Sequence, residues 1–157
     1  MARQVEPVAR WARVTTLVLS LLGMAVSTYL TIEHFGHSNL LICPRNTLFN
    51  CESVTTSAQS YFLGIPVAVL GLLSFVVMTA LNSPWALAAK EYWIHVVRFL
   101  LAIGSMGFVL WLITAELVII DHICLYCTAV HIITFALLIV LTQVAPKQLG
   151  WVSQPAQ

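Results

Sequence analysis

Two pairs of cysteines have spacings that suit redox chemistry. Cys124 and Cys127 are separated by two residues in His122-Ile123-Cys124-Leu125-Tyr126-Cys127, and Cys43 and Cys51 are separated by seven. Cysteines two residues apart at a helix start lie on one face about a turn apart, within reach of a disulfide. The helix N-terminus also offers free N–H groups and a partial positive charge, which stabilise a thiolate. Such a pair suits thiol–disulfide exchange better than stapling, because a bridge across two residues constrains the unfolded chain little. The wider pair is ambiguous alone, since stapling bridges in outward loops are common. Beside a second pair it can hand a disulfide on through a mixed intermediate, so together the pairs suggest a relay.

The elements that must position these cysteines are set by composition. The 157 residues are 60% hydrophobic and 8% charged, against about a quarter charged in a soluble domain. With a mean hydropathy of +0.93, the chain lacks the polar surface that water requires. Four apolar segments, 14–32, 61–81, 96–115 and 123–141, each have about the twenty residues needed to cross hydrocarbon. The expected fold is all-α, an integral membrane bundle of four transmembrane helices forming a single domain over 1–157, with a long outward loop at 33–60 between helices one and two. A cleaved signal peptide is the competing reading of the first segment, but its apolar run is longer than a usual signal core. The net charge of +1 and scattered Lys and Arg residues give no basic patch, so nucleic acid is not an expected partner.

Orientation follows from the basic residues. Arg3, Arg10, Arg13, Lys90, Arg98 and Lys147 fall beside the N-terminus, the loop between spans two and three, or the C-terminus, whereas Arg45 falls on the other side. The positive-inside rule puts both termini in the cytoplasm, with Arg98 snorkelling from the start of span three. Trp11, Trp85, Trp93 and Trp151 fit an aromatic belt at the same ends. All four cysteines then face the oxidising compartment, where disulfides persist.

Other residues near the cysteines have competing readings. His122, Cys124, Cys127 and His131 form a string of possible zinc ligands, which supports an alternative function as a non-enzymatic metal-binding or transport subunit. The spacing is too tight for one tetrahedral centre unless the first helical turn unwinds. A structural subunit whose cysteines only staple the loop is a second alternative. His131 lies four residues after Cys127, where it either bonds within the bundle or donates to a ligand held against that sulfur. Glu116 and Asp121 read as interfacial residues, with proton transfer as the less supported role. No dinucleotide fingerprint or Gly-rich phosphate loop is present. A quinone dissolved in the bilayer is therefore the expected electron acceptor, meeting Cys127 between the helices. Gly23, Gly64, Gly71, Gly104 and Gly107 read as packing positions, or as room for such a ring.

These features together resemble the bacterial homologues of vitamin K epoxide reductase. The resemblance rests on the Cys43/Cys51 spacing, Ser57 six residues after Cys51, Phe62-Leu63-Gly64-Ile65-Pro66 ahead of helix two, and Cys124-Leu125-Tyr126-Cys127 opening helix four. It implies a four-helix bundle around a quinone such as menaquinone or ubiquinone. It also implies an extracytoplasmic thioredoxin-fold partner that delivers electrons to Cys43 and Cys51. Cys51 then exchanges with Cys124, and Cys127 passes electrons to the quinone. The implied activity is that of a membrane thiol:quinone oxidoreductase driving disulfide formation, in the cell membrane with its site facing the periplasm or exterior. The chain ends at Gln157 without a fused thioredoxin-like domain, so the expected partner is a separate protein.

Ser57 matches the family's Ser/Thr position. Ser60 and His131 stand where vertebrate members carry Asn and Tyr, so these three residues are the expected quinone contacts, and reduction of vitamin K epoxide does not follow. Ser60 is also a candidate N-cap for helix two. Disulfide bond formation protein B, another quinone-linked type, carries its Cys-x-x-Cys pair in the first outward loop, the reverse of the order here.

Overall fold

The computed structural model describes residues 8–36, 43, 48–88 and 91–149. Arg3, Arg45, Lys90 and Trp151, which contribute to the orientation argument, lie outside them. Three helices are long and apolar enough to span a bilayer: α1 (Arg10–Gly36), α5 (Tyr92–Thr114) with its continuation to Ile120, and the last helix, α6 (Leu125–Gln148). Between them lie α2 (Cys51–Thr55), a 3-10 turn at Ala58–Ser60, a two-stranded hairpin of β1 (Tyr61–Phe62) and β2 (Ile65–Pro66), α3 (Val67–Leu81) and α4 (Pro84–Ala88).

Packing explains the arrangement. The inward stripe of α1 is Ala12, Thr16, Ser20, Gly23, Ser27 and Leu30, repeating every three or four positions and small at all but the last. Small side chains let helices approach closely where lipid provides no hydrophobic drive for association, and α1 packs against both α3 and α6. The Thr16 and Ser20 hydroxyls donate to carbonyls one turn back, each at 2.7 Å, so the stripe buries no unsatisfied hydroxyl there. Phe75 and Met78 of α3, Ala102 of α5, and Leu137 and Leu141 of α6 complete the core. The outer faces carry Leu, Ile, Val, Phe and Trp, as lipid contact requires.

The second apolar segment departs from expectation. Its helix starts at Val67 and has 15 residues, because 61–66 folds into the hairpin instead. Leu63 (φ 53°) and Gly64 (φ 81°) both adopt left-handed conformations, the geometry of a two-residue hairpin turn. Pro66 then fixes the start of α3 without a side-chain cap. Ser60 therefore caps nothing. Its hydroxyl bonds to the Ser57 carbonyl at 2.6 Å.

Arg98 is a second departure, only 1% exposed rather than snorkelling. Its Nη2 donates to Gln148 Oε1 at 3.1 Å, tying α5 to the end of α6. Nearby, Asn82 Nδ2 donates to Met78 O (2.8 Å) and Ser20 Oγ (3.2 Å), tying the end of α3 to α1.

The glycines divide by role. A Cβ at Gly23 would run into the Phe75 ring, and one at Gly71 would meet Ser27 Oγ at 3.5 Å, whereas Gly104 and Gly107 face open space. Gly23→Ala should lower stability by about 1–3 kcal/mol through overpacking. Gly107→Ala should be neutral or stabilising by up to about 1 kcal/mol through helix propensity. Thermal unfolding of the two variants in one detergent checks the contrast.

Candidate redox site

The site is assembled where the loop meets the start of α6. Ile123 N donates to Leu48 O (2.8 Å) and Asn50 N donates to Ile123 O (3.2 Å), a parallel bridge that seats Phe49 beside Ile123. Asn50 then caps α2, its Oδ1 accepting from Ser53 N at 3.1 Å. Cys51 opens that helix and Cys124 immediately follows the bridged Ile123, so this backbone clamp brings the two cysteines into one buried cluster. Cys51 (1% exposed) and Cys124 (0%) form its centre with Val54, and Cys43, Ile120, Tyr126 and Cys127 pack around them. All four cysteines are thus brought together.

Cys43 and Cys51 are joined by a disulfide, with Cα atoms 6.1 Å apart, while Cys124 and Cys127 are free thiols. Cys124 is the N-cap of α6, and its Sγ accepts from Cys127 N at 3.4 Å. The Cys127 thiol and backbone N–H, with the Tyr126 N–H, hold the Cys124 thiol below its ordinary pKa, against the opposing pull of burial and of Glu116.

Beside the cluster lies a cavity of about 430 Å³ reached by α1, α3, α5, α6 and the outward loop, within the range of small-molecule sites. Of the four cysteines, Cys127 lines it and the other three do not. Ser57, Ser60 and His131 also border it. The Ser57 hydroxyl is directed to Val54 O at 2.8 Å, and His131 is buried one turn deeper than Cys127. The rest of the wall is mainly aliphatic and aromatic, from residues such as Leu70, Phe108, Val109 and Val130. The hairpin roofs the cavity. Tyr61 Oη pairs with His34 Nε2 of α1 at 3.0 Å, and Phe62 meets Phe108 of α5 edge-on at 5.3 Å.

Glu116 has a larger part here than its sequence reading gave it. The last turns of α5 widen into a π-helix over Ala115–Ile120, ended by Asp121 in a left-handed conformation (φ 58°). Such widened turns recur at functional sites. This one turns Glu116 inward, 6% exposed, against the Cys127 thiol and the Cys124 backbone N–H, at the cavity wall. The available signal was an acid inside the apolar run Ala115-Glu116-Leu117-Val118-Ile119-Ile120. His122 lies apart from the cavity. Among the described residues no three His, Cys, Asp or Glu side chains converge as metal ligands would.

The chain is thus a helical membrane protein with two cysteine pairs gathered beside an interhelical cavity. The profile of the vitamin K epoxide reductase family matches residues 14–142, and the chain belongs to that family of oxidoreductases.

The clamp generates a direct expectation. In a Cys43→Ser/Cys127→Ser background, mild oxidation should join Cys51 to Cys124. Adding Ile123→Pro removes the N–H that Leu48 accepts, at a cost of about 1 kcal/mol. The crosslink should then form roughly five-fold more slowly, as read by peptide mass spectrometry.

Proposed function

We propose that the protein is a membrane thiol:quinone oxidoreductase that reoxidises a separate extracytoplasmic thioredoxin-fold protein and so drives disulfide formation. The observation that carries this reading is the graded placement of the cysteines. Cys43 is half-buried, Cys51 and Cys124 are buried together, and Cys127 borders the cavity. Exchange can therefore run inward in that order. A partner thiolate attacks Cys43 and frees Cys51, which attacks Cys124 of an oxidised Cys124–Cys127 pair. Cys127 leaves as a thiolate, the partner's second thiol closes the partner's disulfide and frees Cys43, and Cys43 then resolves the Cys51–Cys124 bridge.

The cavity suits a quinone ring, because its wall is largely apolar and Cys127 borders it together with a few polar side chains. When bound, a quinone supplies an acceptor for two electrons and two protons. Cys127 would face it, Cys124 would close the disulfide, and Ser57, Ser60 and His131 would orient the ring.

In this reading the whole chain is one membrane domain with four crossings, α3 and its hairpin making the second. Both termini are cytoplasmic, and the site faces the periplasm or exterior of a cell membrane. Support comes from the shared cluster of Val8 and Ala12 with Leu141 and Val144, which brings the start of α1 and the end of α6 to the end of the bundle away from the cysteines. Arg10, Arg13 and Lys147 lie near that end.

The test is quinol formation by purified protein supplied with a reduced thioredoxin-fold partner. Cys127→Ala and Cys124→Ala should each lower turnover by several orders of magnitude, as loss of one member of a catalytic unit does. Cys43→Ala and Cys51→Ala should abolish partner-driven turnover yet retain turnover driven by a small dithiol. Equal loss of both activities in the loop variants would show that the two-stage relay is wrong.

A further inference from the structure

Glu116 is a buried carboxylate that the relay described above does not use. Among the described residues no Lys or Arg lines the cavity it borders, so no cation there offsets its charge. An ionisable group in a membrane bundle is costly to bury, and it is retained where it serves binding or proton transfer. The groups facing it are few. Cys124 and Cys127 come from the start of α6, His131 lies one turn deeper on the same helix, and His34 of α1 borders the same cavity, whereas Asp121 is exposed. The Cys127 thiol stands between two acceptors, Cys124 Sγ and the Glu116 carboxylate.

We propose that Glu116 is the base of the site, taking the Sγ proton of Cys127 when the thiolate forms and returning it when Cys127 is regenerated. This rests on the reading of Cys127 as the sulfur that faces the electron acceptor. In the transfer an S–H bond breaks and an O–H bond forms, so the pair carries one negative charge before and after. The cavity therefore never holds two charges, which a low-dielectric wall would penalise heavily. Oxidation of Cys124 and Cys127 to a disulfide passes two electrons to the quinone; Glu116 holds the Cys127 proton meanwhile, so the quinone takes the Cys124 proton and a second proton from water. When Cys51 reopens the disulfide, Cys127 departs as a thiolate and protonated Glu116 supplies its proton.

A purely structural role is the competing account, since the carboxylate also accepts from the Cys124 N–H at the start of α6. Glu116→Gln separates the two, because the amide oxygen can still accept that N–H but cannot take a proton. The measurement is the pH profile of Cys127 alkylation by N-ethylmaleimide, in reduced full-length protein without quinone, quantified by peptide mass spectrometry. Wild type and Glu116→Asp should show a rate that rises to a flat region above neutral pH, where the carboxylate is ionised. Glu116→Gln should be roughly a hundred-fold slower at neutral pH and should recover as pH rises. A Glu116→Gln profile superimposable on wild type would overturn the proposal, as would loss of the flat region in His131→Gln instead.

If Glu116→Gln does not fold, infrared difference spectra of wild type against Cys127→Ala provide the second test. The Glu116 carboxylate bands should shift when its thiol partner is removed, and unchanged bands would refute the assignment. Neither readout requires quinone turnover. An altered alkylation profile without quinol formation would leave Glu116 as the base and remove the quinone reading, and the converse result would remove only the base.

Discussion

Two backbone hydrogen bonds, from Ile123 N to Leu48 O and from Asn50 N to Ile123 O, hold the outward loop against the start of α6. The arrangement of the cysteines depends on them. Each is worth only about 1 kcal/mol net, but they act at the point where the geometry needs fixing, between one residue before Cys51 and one residue before Cys124. Because the contact is main chain to main chain, it specifies position while leaving the side chains free for chemistry. The Cys43–Cys51 disulfide adds a covalent restraint on the same loop, which reduces the conformational freedom lost on docking. The loop is thus anchored through its main chain and not through a sulfur bond to α6.

The opposite end of the bundle is held by different means. Arg98 reaches Gln148, and Asn82 reaches Ser20, so that α5 is keyed to α6 and α3 to α1. Sliding either pair by one turn, about 5.4 Å, would break the bond and strand buried polar groups. These keys fix the axial register of helices whose outer faces are uniformly apolar and would otherwise specify it weakly. Register at this end sets alignment at the other, where Cys127, Glu116 and His131 must border one cavity.

Much of this was legible in the sequence, and the omissions have physical causes. The cysteine pairs, the long apolar runs of α1, α5 and α6, and the family resemblance all rest on spacing and composition, which a single chain displays openly. The hairpin at 61–66 was hidden because Tyr61, Phe62, Leu63 and Ile65 are as apolar as a membrane helix, and hydropathy does not distinguish the two. The Gly64-Ile65-Pro66 sequence carried the turn signal. Arg98 was misplaced because a long cation near a helix end usually reaches water, and its partner Gln148 is 50 residues away. Glu116 reads as interfacial because the apolar span ends at Ala115 and a short turn is expected over 116–122, where the structure instead continues the helix as a π-helix.

The shortness of α3 has a consequence for the surrounding bilayer. At 15 residues it covers about 22 Å, against roughly 30 Å of hydrocarbon. Read as the second crossing, it creates a hydrophobic mismatch on one flank, which lipids relieve by thinning locally. The exposed tip of the hairpin, Leu63 at 88%, extends apolar surface above the helix only as far as a two-residue turn allows. Headgroups and water therefore approach the cavity more closely along this flank than elsewhere around the bundle. A dimple in the membrane at this position brings water and lipid chains to the same opening.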